Sequence, residues 1–156
     1  MPKFVLATAP VALGSGYPAP YAAAFLKRRR IRLGDAAGLT RFGVNLTTLP
    51  PGGMSSLRHW HEVEEEMVVV LEGRLTLIED GGEAELGPGE AAGFPANSGN
   101  GHHFLNRTDT PARFLVVGSK APRETATYSD VDLILHQDRG KPRFTYRDGT
   151  PWTGPK

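Results

Sequence analysis

Glycine and proline interrupt this chain so often that little room is left for a long helix. The 19 glycines and 13 prolines stand between short apolar runs, the pattern of many short strands joined by turns. An all-β chain is expected. Strands are expected at 42–49, 57–61, 67–71, 74–78, 91–94, 102–106, 113–118, 130–135 and 144–147. Between them lie Pro50-Pro51-Gly52-Gly53, Glu79-Asp80-Gly81-Gly82 and Leu86-Gly87-Pro88-Gly89, each with the φ-restricting Pro or permissive Gly of a tight turn. Strands at this spacing suggest a sandwich or a barrel. Only residues 21–29 (YAAAFLKRR) and a turn near Asp35 read as helical, and both precede the β core.

A length of 156 residues suits one domain with its own apolar core. The barrel is expected at 40–119, with extensions at 1–39 and 120–156. The run Met67-Val68-Val69-Val70-Leu71 is continuous rather than alternating, so both faces of its strand should be buried. The N-terminal segment or a second subunit would supply the cover, and a homodimer is expected because two-fold pairs are the commonest soluble assembly. Near the N-terminus Lys3 is the only basic residue and Pro10 breaks the apolar run, which reads as an edge strand rather than a signal peptide. No run approaches the roughly 18 apolar residues of a membrane span, and a cytoplasmic protein is expected.

With 18 Lys+Arg against 17 Asp+Glu, nothing in the total charge points to nucleic acid or a membrane surface. Lys27-Arg28-Arg29-Arg30, with Arg32 after it, reads as a solvated face or a set of acid partners, because a single short cluster lacks the interleaved aromatics of a nucleic-acid binder. No cysteine is present. That excludes disulfides, thiolate metal sites and thiol nucleophiles together. Any metal must take nitrogen and oxygen ligands.

His59-Trp60-His61 is where such ligands first meet, since residues i and i+2 of a strand share a face and can grip one ion. Around the pair, Gly53, five residues, His59-x-His61, four residues, Glu66, six residues and Gly73 resemble the first motif of the cupin superfamily. The stretch GEAAGFPANSGNGHHFLN resembles the second motif through Gly89, Pro95, His102 and Asn106. Two departures occur: Asn97 stands where the motif has Gly, and the loop from Pro95 to His102 is two residues longer. Asn tolerates left-handed backbone better than other non-glycine residues, and Gly99 and Gly101 give the longer loop freedom. The looser stretches LGDAAGLTRFGVNLTTLPPGG, YSDVDL and FTYRDGTPW are similar to those of small bacterial single-domain cupins.

The resemblance implies a jelly-roll β-barrel, with both extensions packing on its outside, and a metal held by His59, His61, Glu66 and His102. Counting back six residues from Gly73 selects Glu66 over Glu65, which then faces the other way. The three-residue step to Asn106 selects His102 over His103 and places Phe104 and Asn106 on the pocket side. Glu62, Glu64 and Glu65 read as a solvated turn, His103 as a surface histidine and His136 as structural. Three imidazoles and one carboxylate leave open positions on Fe, Mn, Ni, Co or Zn. Two functions are compatible with such a centre. One is a metal-dependent dioxygenase, isomerase or lyase acting on a small oxygen-rich molecule. The other is a binding or sensing module in which the metal anchors a small-molecule ligand. No residue spacing singles out a separate general base, so the catalytic residues stay open.

Overall fold

Side-chain alternation decides which strands pair and which way they face. The computed structural model describes residues 3–154, so the outermost residues of the two expected extensions, 1–2 and 155–156, lie outside the described residues. The strands are β1 (Val11–Leu13), β2 (Arg29–Arg32), β3 (Phe42–Leu49), β4 (His59–His61), β5 (Glu66–Glu72), β6 (Leu75–Glu79), β7 (Gly82–Leu86), β8 (Ala91–Phe94), β9 (His103–Leu105), β10 (Ala112–Ser119), β11 (Arg123–Tyr128), β12 (Ile134–Asp138) and β13 (Lys141–Thr145). Six of them form one antiparallel sheet in the order β1-β2-β3-β10-β5-β8. The opposing layer has two parts, β13-β12-β11-β4 and β7-β6-β9. A single bridge between His59 and His102 joins them.

Leu49, Val68, Val70, Ala112 and Phe114 from the six-stranded sheet meet Leu75, Leu77, Leu86 and Phe104 from the opposing layer. Each of these larger side chains contributes about 1.5–3 kcal/mol by leaving water. This is the all-β jelly-roll barrel expected from the motifs. The N-terminal segment packs outside it, where Ala9 meets Ile31 and Leu46 with Phe4, Leu33 and Ala36 around them.

Several elements differ from expectation, each for a physical reason. Residues 21–29 give only a 3₁₀ turn, Tyr21–Phe25, before the chain extends into β2. A nine-residue segment is too short to hold a helix without an apolar face to dock. Strand β7 goes unrecognised in the sequence because Gly-Glu-Ala-Glu-Leu buries only Leu86. Strand β11 is missed for the opposite reason: its inward positions are Glu124, Ala126 and Tyr128, and a buried Glu does not read as apolar. The strand expected at 130–135 begins only at Ile134, preceded by turns.

Within the single chain only the inner face of 67–71 is covered, and the N-terminal segment is not the expected cover of the outer one. Val68 and Val70 are at most 2% exposed, but Met67 and Leu71, on the outer face, are 46% and 47% exposed. The N-terminal segment covers the β2–β3 end of the sheet and stops short of β5.

Candidate metal centre

The seam between the two halves of the second layer brings the expected ligands together. His59 donates its backbone N–H to the His102 carbonyl at 3.2 Å, and His102 returns one to His59 at 2.9 Å. Their rings stand 5.0 Å apart between centroids. His61 follows on the same face of β4, with its Nε2 3.1 Å from His59 Nε2. Glu66 reaches across from β5 in the facing sheet and accepts a hydrogen bond from His102 Nε2 at 3.1 Å. One ligand atom from each of His59, His61 and Glu66 lies within 4.8 Å of the others, so this group could hold an ion. Two imidazole nitrogens in contact, with a carboxylate beside them, suit a divalent metal; His102 joins this group through its bond to Glu66 rather than by standing within that distance of all three.

The surroundings prepare the imidazoles for that role. His59 Nδ1 donates to the Leu57 carbonyl at 2.8 Å, leaving Nε2 with its lone pair toward His61. Burial, reinforced by His61 and His102, lowers the His59 pKa from its usual 6.5 to about 3, so this ring is neutral at pH 7. Burial alone would raise the Glu66 pKa, but the His102 hydrogen bond and the neighbouring histidines bring it below its ordinary value. His102 is 3% exposed and stacks face to face on Phe94, with centroids 3.5 Å apart. Its Nδ1, like that of His61, is buried without a hydrogen-bond partner among the described residues.

The rival residues face elsewhere. Glu65 is exposed, and His103 donates from Nδ1 to the Ser56 carbonyl at 3.1 Å. His136 bonds the Thr145 hydroxyl at 3.0 Å. Glu64 departs from the expected solvated turn, because its carboxylate accepts the Ala121 N–H at 2.8 Å. The longer loop is accommodated as its residues allow: Asn97 takes φ +56° and donates its N–H to the His61 carbonyl at 2.7 Å. Gly101 serves close packing rather than freedom, since a Cβ there would meet the Ser129 side chain.

Phe104 lines the cavity next to the ligands. Asn106 does not, and its expected place in the pocket is corrected. Its amide donates to the carbonyls of Leu49 at 3.1 Å and Thr110 at 2.8 Å, and its Oδ1 accepts from Thr108. A buried amide with this many backbone partners is a clamp on the β9–β10 connection.

Glu124 has no counterpart in the sequence reading. Its buried carboxylate accepts the backbone N–H groups of Glu62 at 2.9 Å, Val63 at 3.2 Å, Glu64 at 2.5 Å and Thr125 at 2.8 Å, and it stands 3.8 Å from His61 Nδ1. It therefore shapes the turn that spaces His61 from Glu66. Glu124, Glu64 and His61 are also close enough to share an ion, but the carboxylates are already engaged by backbone donors. Recognising β11 as a strand would have put Glu124 on its inner face.

The ligand cluster opens into a cavity of about 410 Å³. Val68, Phe104, Phe114 and Val116 form its apolar side, while Asn45, Thr47, Ser55, Ser56 and Gln137 supply polar groups. The extensions contribute too: Tyr17, Arg28 and Arg30 come from the N-terminal one, Tyr128 and Phe144 from the C-terminal one. Arg28 and Arg30 are thus corrected from a solvated face to cavity wall.

The chain is similar to a sugar phosphate isomerase from a cupin superfamily of Silicibacter pomeroyi DSS-3, at 51% identity over 98% of both chains with a TM-score of 0.94. A candidate sugar phosphate isomerase from Acidithiobacillus ferrooxidans ATCC 23270 shares 28% identity over 81% of each chain, TM-score 0.74. A polyketide cyclase of Streptomyces resistomycificus shares 28% over 76% of this chain and 79% of its own, TM-score 0.60. No curated protein sequence gives a significant match. The Cupin domain family model matches residues 45–118, the stretch that holds all four expected ligands. With that match inside a likeness that runs nearly end to end, the chain belongs to the cupin superfamily.

Proposed function

We propose that this cupin is a metal-dependent isomerase of a small hydroxylated carbonyl compound of the sugar type. The observation that carries the reading is the convergence of His59, His61, Glu66 and His102 at one end of a cavity with both hydroxyl-bearing and apolar walls. The relative at 51% identity, named a sugar phosphate isomerase, supports it. A divalent ion in this ligand set would supply Lewis acidity to a carbonyl and its neighbouring hydroxyl.

The chain's own residues do the rest. The Leu57 carbonyl holds the His59 tautomer, and Phe94 fixes the plane of the His102 ring. Hydroxyl and amide groups of Ser55, Ser56, Asn45 and Gln137 suit the hydroxyls of a sugar, while Phe104 and Phe114 keep bulk water from the reacting carbons.

Incubating the metal-loaded protein in D2O with a panel of aldoses, ketoses and their phosphates should put deuterium on the carbon next to the carbonyl, as read by NMR. Oxygen uptake instead of exchange would replace the isomerase by a dioxygenase. Binding without exchange would leave a ligand-binding module.

The working assembly is proposed to be a two-fold dimer through the outer face of the six-stranded sheet. Support comes from Met67 and Leu71, about half exposed, beside half-buried Val69, Leu115 and Val117 on the same face by register. Light scattering should return the mass of two chains for the wild type and of one for Leu71→Glu; a monomeric wild type sinks the proposal.

A further inference from the structure

Strand register turns two arginines into the cavity. Ile31 pairs with Leu46, and both join the outer cluster, so Arg30, paired with Thr47, faces the cavity with it. Arg28, two residues earlier, has the same parity. It is 8% exposed and already employed: it donates to the Gly14 carbonyl from Nε at 3.1 Å and Nη2 at 2.8 Å, and from Nη1 to the Ser55 carbonyl. Its guanidinium also lies over the Phe25 ring at 5.3 Å. Arg28 fastens the N-terminal segment to the barrel while presenting its charge to the cavity.

Arg30 is placed differently. Arg32 has Asp35 at 2.5 Å, whereas Arg30 has no acidic partner among the described residues, and its Nε is buried without an acceptor. A buried guanidinium donor left without an acceptor costs more than a neutral one, so this position favours a ligand that brings negative charge. The cavity wall holds two guanidiniums against one carboxylate, and that carboxylate, Glu66, is committed to the histidine cluster. A divalent ion there would add to the positive excess.

We propose that Arg30, with Arg28 behind it, is an anion subsite that takes the phosphate monoester end of the substrate while the carbonyl end lies at the histidine cluster. The assignment rests on reading the cavity as a substrate site. Two guanidiniums, with Thr47 paired to Arg30 on the cavity wall, match a dianion with three free oxygens, and the planar fork of Arg30 suits two-point contact with it. A carboxylate would answer only one of the two charges.

Calorimetry with inorganic phosphate on the metal-loaded protein tests this. Arg30→Met, which keeps a long apolar stem, should bind phosphate at least about tenfold more weakly than wild type, the scale of one lost charge-assisted hydrogen bond, at equal metal content. Arg30→Lys should recover part of the affinity, and acetate should bind wild type at least about tenfold more weakly than phosphate. If Arg30→Met does not fold, Arg30→Gln must show the same loss. Undiminished phosphate binding in the folded variant would mean that phosphate sits on the metal, and overturns the subsite; acetate matching phosphate overturns its assignment to a phosphate ester. The measurement needs no turnover, so the subsite can stand if the isomerase reading falls, and fall if it stands.

Discussion

His59→Ala and His102→Ala are each expected to lose the divalent metal while keeping the β fold. Wild-type protein purified without chelator should carry about one ion per chain, and either variant should bind it about 100-fold more weakly or worse, since residues that only support a ligand already cost 10–100-fold. Metal analysis with far-ultraviolet circular dichroism separates this from unfolding. A wild type that neither carries nor takes up divalent metal would remove the centre altogether. Acid should act in the same direction as the mutations, because imidazole and carboxylate must be unprotonated to bind.

In the metal-free protein the folded His59 titrates near 3 against 6.5 when unfolded, and the folded Glu66 lies below its usual 4.5. Both are depressed, so the unfolded chain binds the extra protons as pH falls. Their stabilisation is complete above pH 6.5, declines first through His59 and then below 4.5 through Glu66. Urea midpoints of the metal-free protein should therefore fall between pH 7 and 4, and a flat profile would show that these two groups do not control its acid stability.

Gly73→Ala should destabilise the fold by about 2–5 kcal/mol, the sum of left-handed backbone strain of about 1–2 and overpacking of about 1–3. Gly73 sits at φ +75°, and a Cβ there would stand 2.8 Å from the Pro111 carbonyl oxygen and 2.9 Å from Ala112 Cα. Both obstacles are backbone at the start of the neighbouring strand β10, which cannot rotate away. Gly52 makes the control, because it has φ +70° with nothing within 4 Å of a Cβ; Gly52→Ala should cost only about 1–2 kcal/mol. Equal losses in the two variants, read by urea denaturation, would show that the close approach at Gly73 contributes nothing.

The metal-loss and Gly73 predictions fall on features that were legible in the sequence for a local reason. His59 and His61 declare a shared face because a strand repeats every two residues. Glu66 opens β5 and Gly73 follows its end, a fixed count apart in the motif, and β3 shows its bounds in apolar residues closed by turn residues. Glu124 and β11 were not legible. The value of a buried carboxylate lies in the four backbone N–H groups around it, three of them on a turn 60 or more positions away.

Arg28 and Arg30 show the limit most clearly. In sequence they belong to a run of four basic residues, which local chemistry assigns to solvent. Pairing of β2 with β3 turns alternate members inward, and Gly14 and Ser55 supply acceptors from opposite sides of the chain. Asn106 shows the reverse: its parity is as expected, yet the carbonyls of Leu49 and Thr110 capture its amide.

By itself the sequence determined the all-β class and the turn positions, because strand period and turn chemistry act within a few residues, and its likeness to the cupin motifs singled out four candidate ligands. Only the tertiary structure decided which charges face the cavity, which polar groups are consumed by the backbone and which outer surface the single chain leaves uncovered, because burial depends on partners that the chain brings together from far apart.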